Sequence, residues 1–377
     1  MKVMTLLGTR PEIIRLAACI KALDRYTDHK LVHTGQNWDP TLFDVFFEEL
    51  ELRKPDYQLD AGRQAKHVGE QIGNIISQTY EIMAAERPDA ILLLGDTNSA
   101  LAAIGAKRLK IPIFHMEAGN RCFDQNVPEE INRKLVDHIS DVNLPYTEHS
   151  RRYLLAEGFR KEHLFVTGSP MAEVLAQYQA KIDASKVLET LSLKPNQYIL
   201  VSAHREENLD LQHNFLSLVK SLNAVAEKYQ MPVIYSTHPR TQKRIEAEGV
   251  TLNPLIQNLK PFGFFDYNQL QKKAYCVLSD SGTLAEESNI LGFPAVLIRT
   301  STERPEVMDK GTMVIGGIAP QRMLESVAAA RQMFDDDLPH LRAPDYTDLN
   351  CSAKVVKIIM SYAKIIDKMV WRKPDLD

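Results

Sequence analysis

Short apolar runs rich in β-branched residues alternate with longer segments of helical period along the whole chain, and this alternation constrains the fold most. Such runs are typical of parallel strands that are buried on both faces and joined by crossover helices. The sequence therefore predicts an α/β fold. The predicted strands are Val3–Leu7, Leu31–Thr34, Ala90–Leu94, Ile113–Met116, Val142–Pro145, Leu164–Thr167, Tyr198–Ser202, Val233–Thr237, Cys276–Ser279, Ala295–Arg299 and Met313–Ile315.

The strand–helix rhythm is interrupted once, near Ala180–Asn196, and the chain of 377 residues is too long for one small domain. We therefore expect two doubly wound domains, covering residues 1–182 and 183–350. Residues 351–377 contain one more long amphipathic pattern, Ser352–Val370, which predicts a helix with enough apolar surface to pack back onto the first domain.

The composition excludes several classes of protein. The formal net charge of −4 argues against non-specific binding to nucleic acid or anionic lipid. The apolar N-terminal run is too short for a secretory signal, and no run approaches the roughly 18 apolar residues of a membrane span. The four cysteines lie far apart without a C-x-x-C pair, which disfavours a zinc cluster or a disulfide framework. We expect a cytoplasmic protein with no membrane, nucleic-acid or metal partner.

The first predicted strand runs into Gly8-Thr9-Arg10-Pro11-Glu12, where Pro11 suits the first turn of a helix. Free N–H groups at that helix start, with Arg10 and Arg15 nearby, would suit a diphosphate. The alternative is a capped helix with a surface arginine. A G-x-G-x-x-G fingerprint is missing, so a dinucleotide site is not indicated.

Two acidic residues directly follow predicted strands, at the sheet edge where open α/β sheets bind their ligands. Asp96 follows the strand that ends at Leu94, and Glu117 follows Ile113–Met116. A carboxylate at a buried strand end is costly without a partner. The alternatives are structural: Asp96 as the N-cap of a helix near Ser99, and Glu117 paired with Arg121.

A third acidic residue, Glu129, lies where Pro128 opens a predicted helix. Glu129 and Arg133 share one face of that helix at a spacing of four residues, so an exposed ion pair is the simpler alternative. Ile131 and Leu135 are expected to point toward the core. The functional interpretation depends on the accumulation of three carboxylates along one sheet edge.

The second half repeats this arrangement. His204 and Arg205 follow a predicted strand, where they suit phosphate contact or proton transfer. Ser281 and the residues after it open a helix whose N–H groups could hold a phosphate, and Glu287 could bind a ribose diol. Arg304 lies at another helix start. A structural histidine and ordinary helix caps are the alternatives.

Seven motifs together resemble the non-hydrolysing UDP-N-acetylglucosamine 2-epimerase family, in order and spacing over nearly the whole chain. The resemblance implies a GT-B fold, in which UDP binds in a cleft between two Rossmann-like domains, and usually a homodimer. It also implies an isomerase that needs no cofactor. The motifs are Gly8–Glu12, Gly95-Asp96-Thr97, His115–Gly119, Pro128-Glu129-Glu130 with Arg133, His204-Arg205, Asp280-Ser281-Gly282 and Thr302–Glu306.

In the family mechanism a base removes H2 of the sugar while the C1–O bond to UDP breaks, giving a 2-acetamidoglucal. UDP then adds back as a proton arrives on the opposite face, so acid and base groups are needed on both faces. By resemblance the catalytic residues are Asp96, Glu117, Glu129 and His204. The residues that match the UDP-sugar contacts are Arg10, Arg15, Arg133, Arg205, Tyr267, Ser281, Gly282, Glu287 and Arg304.

Several runs resemble one branch of the family, which makes UDP-N-acetyl-L-fucosamine from UDP-2-acetamido-2,6-dideoxy-L-talose for bacterial capsule or O-antigen. They are Gly8–Leu16, Gly119–Gln125 and Lys354–Ile359. The loop from Arg121 to Glu129 is two residues shorter than in the common enzymes, and its Phe123 is a candidate contact for the 6-deoxy methyl group. The alternative substrate is UDP-GlcNAc, epimerised to UDP-ManNAc.

Two alternatives come from other classes of protein. A GT-B glycosyltransferase would use the same UDP-binding half, since the fold alone does not specify the reaction. A UDP-sugar sensor would bind without turnover. The three carboxylates of the first half and the presence of His204 favour the epimerase.

Overall fold

The computed structural model describes residues 1–37, 43–209, 211–237, 239–299, 302–336 and 342–374. The chain forms two compact units. Unit 1 consists of residues 1–176 and 347–377, and unit 2 of residues 177–346. The first boundary falls inside one helix, and the second follows a short turn at Pro344–Tyr346.

Unit 1 is built on a six-stranded parallel sheet in the order β3-β2-β1-β4-β5-β6. Its long central strands are rich in Val, Ile and Leu because helices cover both faces. The strands are β1 (Lys2–Leu7), β2 (Asp28–His33), β3 (Tyr57–Gln58), β4 (Ala90–Leu94), β5 (Ile113–Met116) and β6 (Val142–Leu144). The helices are α1 (Arg10–Tyr26), α2 (Asp44–Glu49), α3 (Ala61–Gln64), α4 (Val68–Glu86), α5 (Ala103–Arg108), α6 (Pro128–Ile139), α7 (Glu148–Ala156) and α8 (Pro170–Asp183), which runs on into unit 2.

Unit 2 repeats the design with the strand order β12-β11-β10-β7-β8-β9, all parallel. The strands are β7 (Ile199–Ser202), β8 (Val233–Ser236), β9 (Ile256–Leu259), β10 (Cys276–Ser279), β11 (Ala295–Leu297) and β12 (Val314–Ile315). The helices are α9 (Val187–Thr190), α10 (Glu206–Leu209), α11 (Gln212–Tyr229), α12 (Pro239–Ala247), α13 (Phe264–Lys273), α14 (Thr283–Leu291), α15 (Pro305–Asp309) and α16 (Pro320–Asp335).

The two sheets confirm the predicted α/β class, and two parallel domains of six strands each are consistent with a GT-B fold. In each unit the first and fourth strands are neighbours, and the chain continues outward from them in opposite directions. This is the doubly wound order, in which ligands bind at the carboxyl ends of the two central strands. The central pairs are β1 with β4 and β7 with β10.

The last helix, α17 (Cys351–Met369), belongs to unit 1 and packs against α1. Its amphipathic pattern buries one apolar face, which includes Val355, Ile359 and Ile366. At its start, Glu173 of α8 accepts hydrogen bonds from the backbone N–H and the hydroxyl of Ser352, at 2.8 and 2.6 Å. These bonds satisfy a free N–H at the helix start and anchor the C-terminal segment.

One predicted strand was wrong and two strands were missed. Leu164–Thr167 is not a regular strand: Leu164 forms a single bridge with Asn143, and the N–H groups of Phe165 and Thr167 donate to the carbonyls of Asn143 and Pro145. Two short edge strands, β3 and β9, were missed, because their apolar runs are too brief to stand out from a loop.

Candidate active site

At the central strands of unit 1, Glu12 joins the loops that follow β1 and β4. Its Oε2 accepts hydrogen bonds from the Gly8 N–H at 3.0 Å and the Thr9 hydroxyl at 2.9 Å. Its Oε1 accepts one from the Thr97 hydroxyl at 3.0 Å. From the sequence, Glu12 was singled out only as part of the motif Gly8–Glu12. The spacing Thr9-x-x-Glu12 is that of a capping box, and this signal could have identified it.

Glu12 is almost completely buried, and burial raises its pKa to about 7, although the three hydrogen-bond donors oppose this shift. Folding therefore favours the protonated acid between the usual pKa near 4.5 and about 7. In this window the folded state binds more protons than the unfolded state, so the stability that protonated Glu12 contributes is lost as the pH rises.

We expect the substitution Glu12→Gln to remove this pH dependence, because glutamine resembles the protonated acid. Relative to the variant, the wild type should lose free energy of unfolding on the order of 3 kcal/mol between pH 4.5 and pH 7.5. Urea unfolding of both proteins across that range measures the difference. Parallel curves for the two proteins would show that Glu12 is ionised throughout.

Asp96, which follows β4, is held by Arg133 of α6. The Nη2 and Nε atoms of Arg133 donate to Asp96 Oδ2 at 2.6 and 3.0 Å, and its Nη1 donates to Glu130 Oε2 at 2.8 Å. The structural alternative for Asp96 was wrong, because the residue before the short helical turn at Asn98–Ala102 is Thr97. Arg133 is nearly buried and forms these pairs with Asp96 and Glu130.

Glu117, which follows β5, lies against Arg15 of α1. The Nη1 atom of Arg15 donates to Glu117 Oε2 at 2.5 Å, and Asn120 Nδ2 donates to Oε1 at 3.2 Å. The backbone of Glu117 has a φ of +64°, a left-handed conformation that costs an ordinary residue energy and is concentrated at functional sites. The structural alternative, a pair of Glu117 with Arg121, was wrong, since Arg121 binds Asp137 and Glu157 instead.

The other predicted residues of unit 1 lie at helix starts. Arg10 is the first residue of α1, and its guanidinium carbon lies 5.7 Å from the centre of the Phe46 ring. Glu129 is half-buried in the first turn of α6. The expectation for Ile131 and Leu135 was wrong: both side chains are about half exposed, because α6 buries Asn132, Arg133, Val136 and Asp137 instead.

In unit 2, His204 and Asp280 lie just beyond the carboxyl ends of the two central strands, β7 and β10. Asp280, fully buried after β10, accepts the backbone N–H groups of His204 and Arg205 at 3.0 and 2.9 Å, and Asn208 Nδ2 at 3.0 Å. His204 Nδ1 lies 3.1 Å from Asp280 Oδ1. Burial alone would raise the pKa of Asp280, but His204 and these hydrogen bonds hold it below its usual value. The imidazole is thereby oriented, with part of its ring exposed.

The loop before α14 consists of small residues, Ser281 and Gly282, and the side chain of Glu303 lies close to Gly282. The hydroxyls of Ser281 and Thr283 lie 2.9 Å apart. A Cβ at Gly282 would come within 2.7 Å of Glu303 Oε1, so glycine leaves the room that this contact needs. Arg205 Nη2 lies 3.8 Å from the same carboxylate, which places His204-Arg205 beside the loop.

The remaining predicted residues of unit 2 lie on helices or directly before one. Glu287 is on α14, and its Oε2 accepts a hydrogen bond from Gln271 Nε2 at 2.6 Å. Arg304 is almost fully buried, with its Nη2 3.0 Å from Glu286 Oε2. Tyr267 is half-buried on α13.

The described part of the chain offers neither a metal-binding cluster nor a membrane-spanning helix. Among these residues, no group of three or more His, Cys, Asp or Glu side chains is arranged to hold a metal ion. No helix among them is long and apolar enough to cross a membrane.

The comparisons with known proteins agree with each other. The family model for UDP-N-acetylglucosamine 2-epimerase matches residues 21–360. The structure of UDP-N-acetylglucosamine 2-epimerase from Rickettsia bellii is similar with a TM-score of 0.91 and 47% identity, covering 99% of this chain and 100% of that one. Methanocaldococcus jannaschii UDP-GlcNAc 2-epimerase in complex with UDP-GlcNAc and UDP has a TM-score of 0.89 and 32% identity, covering 96% and 100%.

A relative with a different named substrate is UDP-2,3-diacetamido-2,3-dideoxy-D-glucuronate 2-epimerase of Pseudomonas aeruginosa. It is 34% identical over 330 residues, which are 86% of this chain and 91% of that protein. All these proteins are 2-epimerases of UDP-linked acetamido sugars by name, and the family model covers most of the chain. The chain therefore belongs to the UDP-N-acetylglucosamine 2-epimerase family and is an isomerase.

Proposed function

We propose that this protein inverts carbon 2 of a UDP-2-acetamido sugar by eliminating UDP and adding it back, through a 2-acetamidoglucal. The observation that carries this proposal is the pair of carboxylates at neighbouring strand ends of unit 1, Asp96 and Glu117, each oriented by an arginine. The M. jannaschii enzyme in complex with UDP-GlcNAc and UDP supports a UDP-sugar as the substrate.

The chemistry explains why two carboxylates and a held leaving group are useful. The C2–H bond of the sugar is only weakly acidic, so a base that removes this proton needs a path for the electron pair. When the C1–O bond breaks, that pair forms the C1=C2 double bond, and UDP leaves with the electrons of the broken bond. In the return step UDP attacks C1 while a proton reaches C2 on the opposite face, so no net redox change occurs.

We assign the acid–base chemistry to Asp96, Glu117 and Glu129 of unit 1, and include His204 of unit 2. The loop before α14 supports binding of the nucleotide in unit 2, because its small residues lie at a helix start, where the helix dipole favours a phosphate. The remaining proposed contacts to the UDP-sugar are Arg10, Arg15, Arg133, Arg205, Tyr267, Ser281, Gly282, Glu287 and Arg304.

We further propose that the protein acts as a homodimer, which sedimentation analysis would test.

For the substrate we propose UDP-2-acetamido-2,6-dideoxy-L-talose, which would yield UDP-N-acetyl-L-fucosamine for capsule or O-antigen. The short loop that resembles this branch carries Phe123, and its ring is about two-thirds exposed. It lies edge-on to Tyr153 at a centroid distance of 5.3 Å. An exposed ring held by a second ring offers an apolar surface suited to a methyl group.

Replacement of Phe123 by alanine is expected to reduce the preference for a 6-deoxy over a 6-hydroxy sugar about tenfold, the value of one apolar contact to a methyl group. Competition between the two UDP-sugars, with kcat/KM measured for each, gives the selectivity. Leu155→Ala, at another exposed apolar residue of unit 1, serves as the control and should leave it unchanged. Unchanged selectivity in Phe123→Ala would remove Phe123 from the proposed contact.

The second candidate reaction is the conversion of UDP-GlcNAc to UDP-ManNAc. It is favoured by the R. bellii and M. jannaschii structures, both named for UDP-GlcNAc. Proton NMR in D2O without added NAD distinguishes the two, with each UDP-sugar offered separately and C2 observed. Deuterium exchange with inversion in the talose compound alone would support the fucosamine branch, whereas turnover of UDP-GlcNAc would assign the mannosamine reaction. Exchange in neither would contradict the epimerase proposal for both sugars.

A further inference from the structure

His115 of β5 is completely buried, and both of its ring nitrogens face hydrogen-bond acceptors. Nε2 lies 2.7 Å from the carbonyl oxygen of Gly95, and Nδ1 lies 2.9 Å from Asp137 Oδ1. A carbonyl oxygen can only accept a hydrogen bond. Nε2 must therefore carry a proton, and the state of the ring depends on whether Nδ1 carries one as well.

The hydrogen bonds of Asp137 indicate that Nδ1 of His115 also carries a proton. Its Oδ2 accepts the Gly119 N–H at 3.1 Å and Arg121 Nη1 at 2.8 Å, so donors surround both carboxylate oxygens. Burial alone would raise the pKa of Asp137, but His115 and Arg121 hold it below its usual value. Asp137 is thus an ionised acceptor, and Nδ1 of His115 donates to it. With protons on both nitrogens, the ring is an imidazolium.

The charges around His115 balance. Arg121 also donates to Glu157, from Nε at 2.7 Å and from Nη2 at 2.6 Å. Two cations, His115 and Arg121, therefore meet two carboxylates, and a buried charge is tolerated when it is paired and hydrogen-bonded in this way. Burial alone would lower the pKa of His115, but Asp137, the Gly95 carbonyl and the nearby charge of Glu117 raise it.

The network contacts the three segments that carry the proposed catalytic carboxylates. The Gly95 carbonyl directly precedes Asp96, and the Gly119 N–H follows Glu117 by two residues. Asp137 lies on α6, which also carries Glu129. Gly95 and Gly119 both have positive φ angles, +71° and +80°, which glycine adopts without steric cost, and each hydrogen bond fixes one of these otherwise flexible turns.

We propose that His115 is a permanently protonated positioning residue, which with Asp137 fixes the turns that present Asp96 and Glu117 and ties them to the helix of Glu129. Its effect on turnover rests on the proposed function. His115 itself does not touch the reacting atoms in this proposal. Its role is to hold the geometry of the carboxylates, on which proton transfer depends steeply.

The protonation state is tested on the unmodified protein labelled with 15N-histidine. We expect both ring nitrogens of His115 to remain protonated from pH 6 to pH 9, with the resonance assigned by comparison with His115→Gln. In Asp137→Asn the ring should carry only one proton at pH 7.5, because burial favours the neutral form once the carboxylate is lost. A wild-type ring with one bare nitrogen at pH 7.5 would overturn the proposal.

The positioning role is tested by kinetics. We expect His115→Gln to lower kcat about tenfold or more, while its KM and its affinity for UDP change less than threefold. His138→Gln, at an exposed histidine of the same helix α6, is the control and should match the wild type. Full kcat in folded His115→Gln, or an equal loss of UDP binding, would overturn the positioning role.

Failure of the proposed function can be told apart from failure of this inference. If the wild type turns over neither UDP-sugar, the proposed function fails, while the 15N spectrum still decides the state of the ring. Crystal structures of wild type and His115→Gln then decide the positioning. We expect Asp96 or Glu117 to move in the variant, and both remaining in place would refute it. If His115→Gln does not fold, Asp137→Asn is analysed in the same way.

Discussion

Replacement of Glu117 by glutamine is expected to lower kcat at least about 100-fold, while UDP still binds. Glutamine keeps the size of the side chain and can still accept from Arg15, but it cannot take up or deliver a proton. Steady-state kinetics with the preferred UDP-sugar, together with titration of UDP alone, separate the loss of chemistry from a loss of binding.

The loss of a buried charge partner must be separated from the loss of chemistry. Glu117→Gln leaves the nearly buried Arg15 without its carboxylate, which can cost about 3–5 kcal/mol of stability. Thermal unfolding therefore accompanies the kinetics, and rates are expressed per folded protein. Glu148→Gln, which removes a half-exposed carboxylate paired with Arg151, should leave kcat unchanged. Near-normal turnover in Glu117→Gln would exclude Glu117 from the catalytic set.

A loss of similar size is expected for Asp96→Asn, again at least about 100-fold in kcat with UDP binding retained. Asparagine keeps one oxygen as an acceptor for Arg133, so the local geometry should persist while the acid–base function is lost. The readout is deuterium incorporation at C2 starting from each epimer. Exchange without inversion would indicate that Asp96 acts on only one face of the sugar.

Asp141→Asn is the matched control for Asp96→Asn. Asp141 is also paired, with Lys107 Nζ at 2.6 Å, and is more deeply buried than Asp96, but it precedes β6 and so lies at the amino ends of the strands rather than at their carboxyl ends. This variant should lose stability and retain the turnover of its folded fraction. If both variants lost turnover equally, the effect of Asp96→Asn would reflect a general loss of buried ion pairs rather than chemistry.

The sheet of each unit could be largely predicted, because buried parallel strands leave a local signal. β4 and β5 were predicted at their observed bounds, because both are runs of apolar residues, interrupted only by His115. The structure buries every residue of both strands. The positions of Asp96 and Glu117 followed from the strand ends. The segment Leu164–Thr167 lies beside β6 and donates backbone hydrogen bonds to Asn143 and Pro145, but it forms one bridge and no regular strand, a difference that an apolar run does not reveal.

The buried face of α6 could not be predicted from its own sequence pattern. Ile131 and Leu135 were placed inward because apolar residues usually face the core. In the structure the inward face carries Asn132, Arg133 and Asp137, whose polar groups are satisfied by partners from other strands and loops. A polar inward face can be stable only with those partners, and a helix pattern does not reveal them.

Local sequence patterns were thus sufficient for most of the strands and helix starts and for the positions of Asp96 and Glu117 at strand ends, because these depend on neighbours in the chain. The pairing of charges depended on the folded structure. Arg15 and Glu117 are 102 residues apart, Asp96 and Arg133 are 37 apart, and His115 and Asp137 are 22 apart. Only the parallel order of the strands brings these groups within hydrogen-bond distance. The pKa of Glu12 is then raised by burial, and the pKa of His115 is raised by its contact with Asp137.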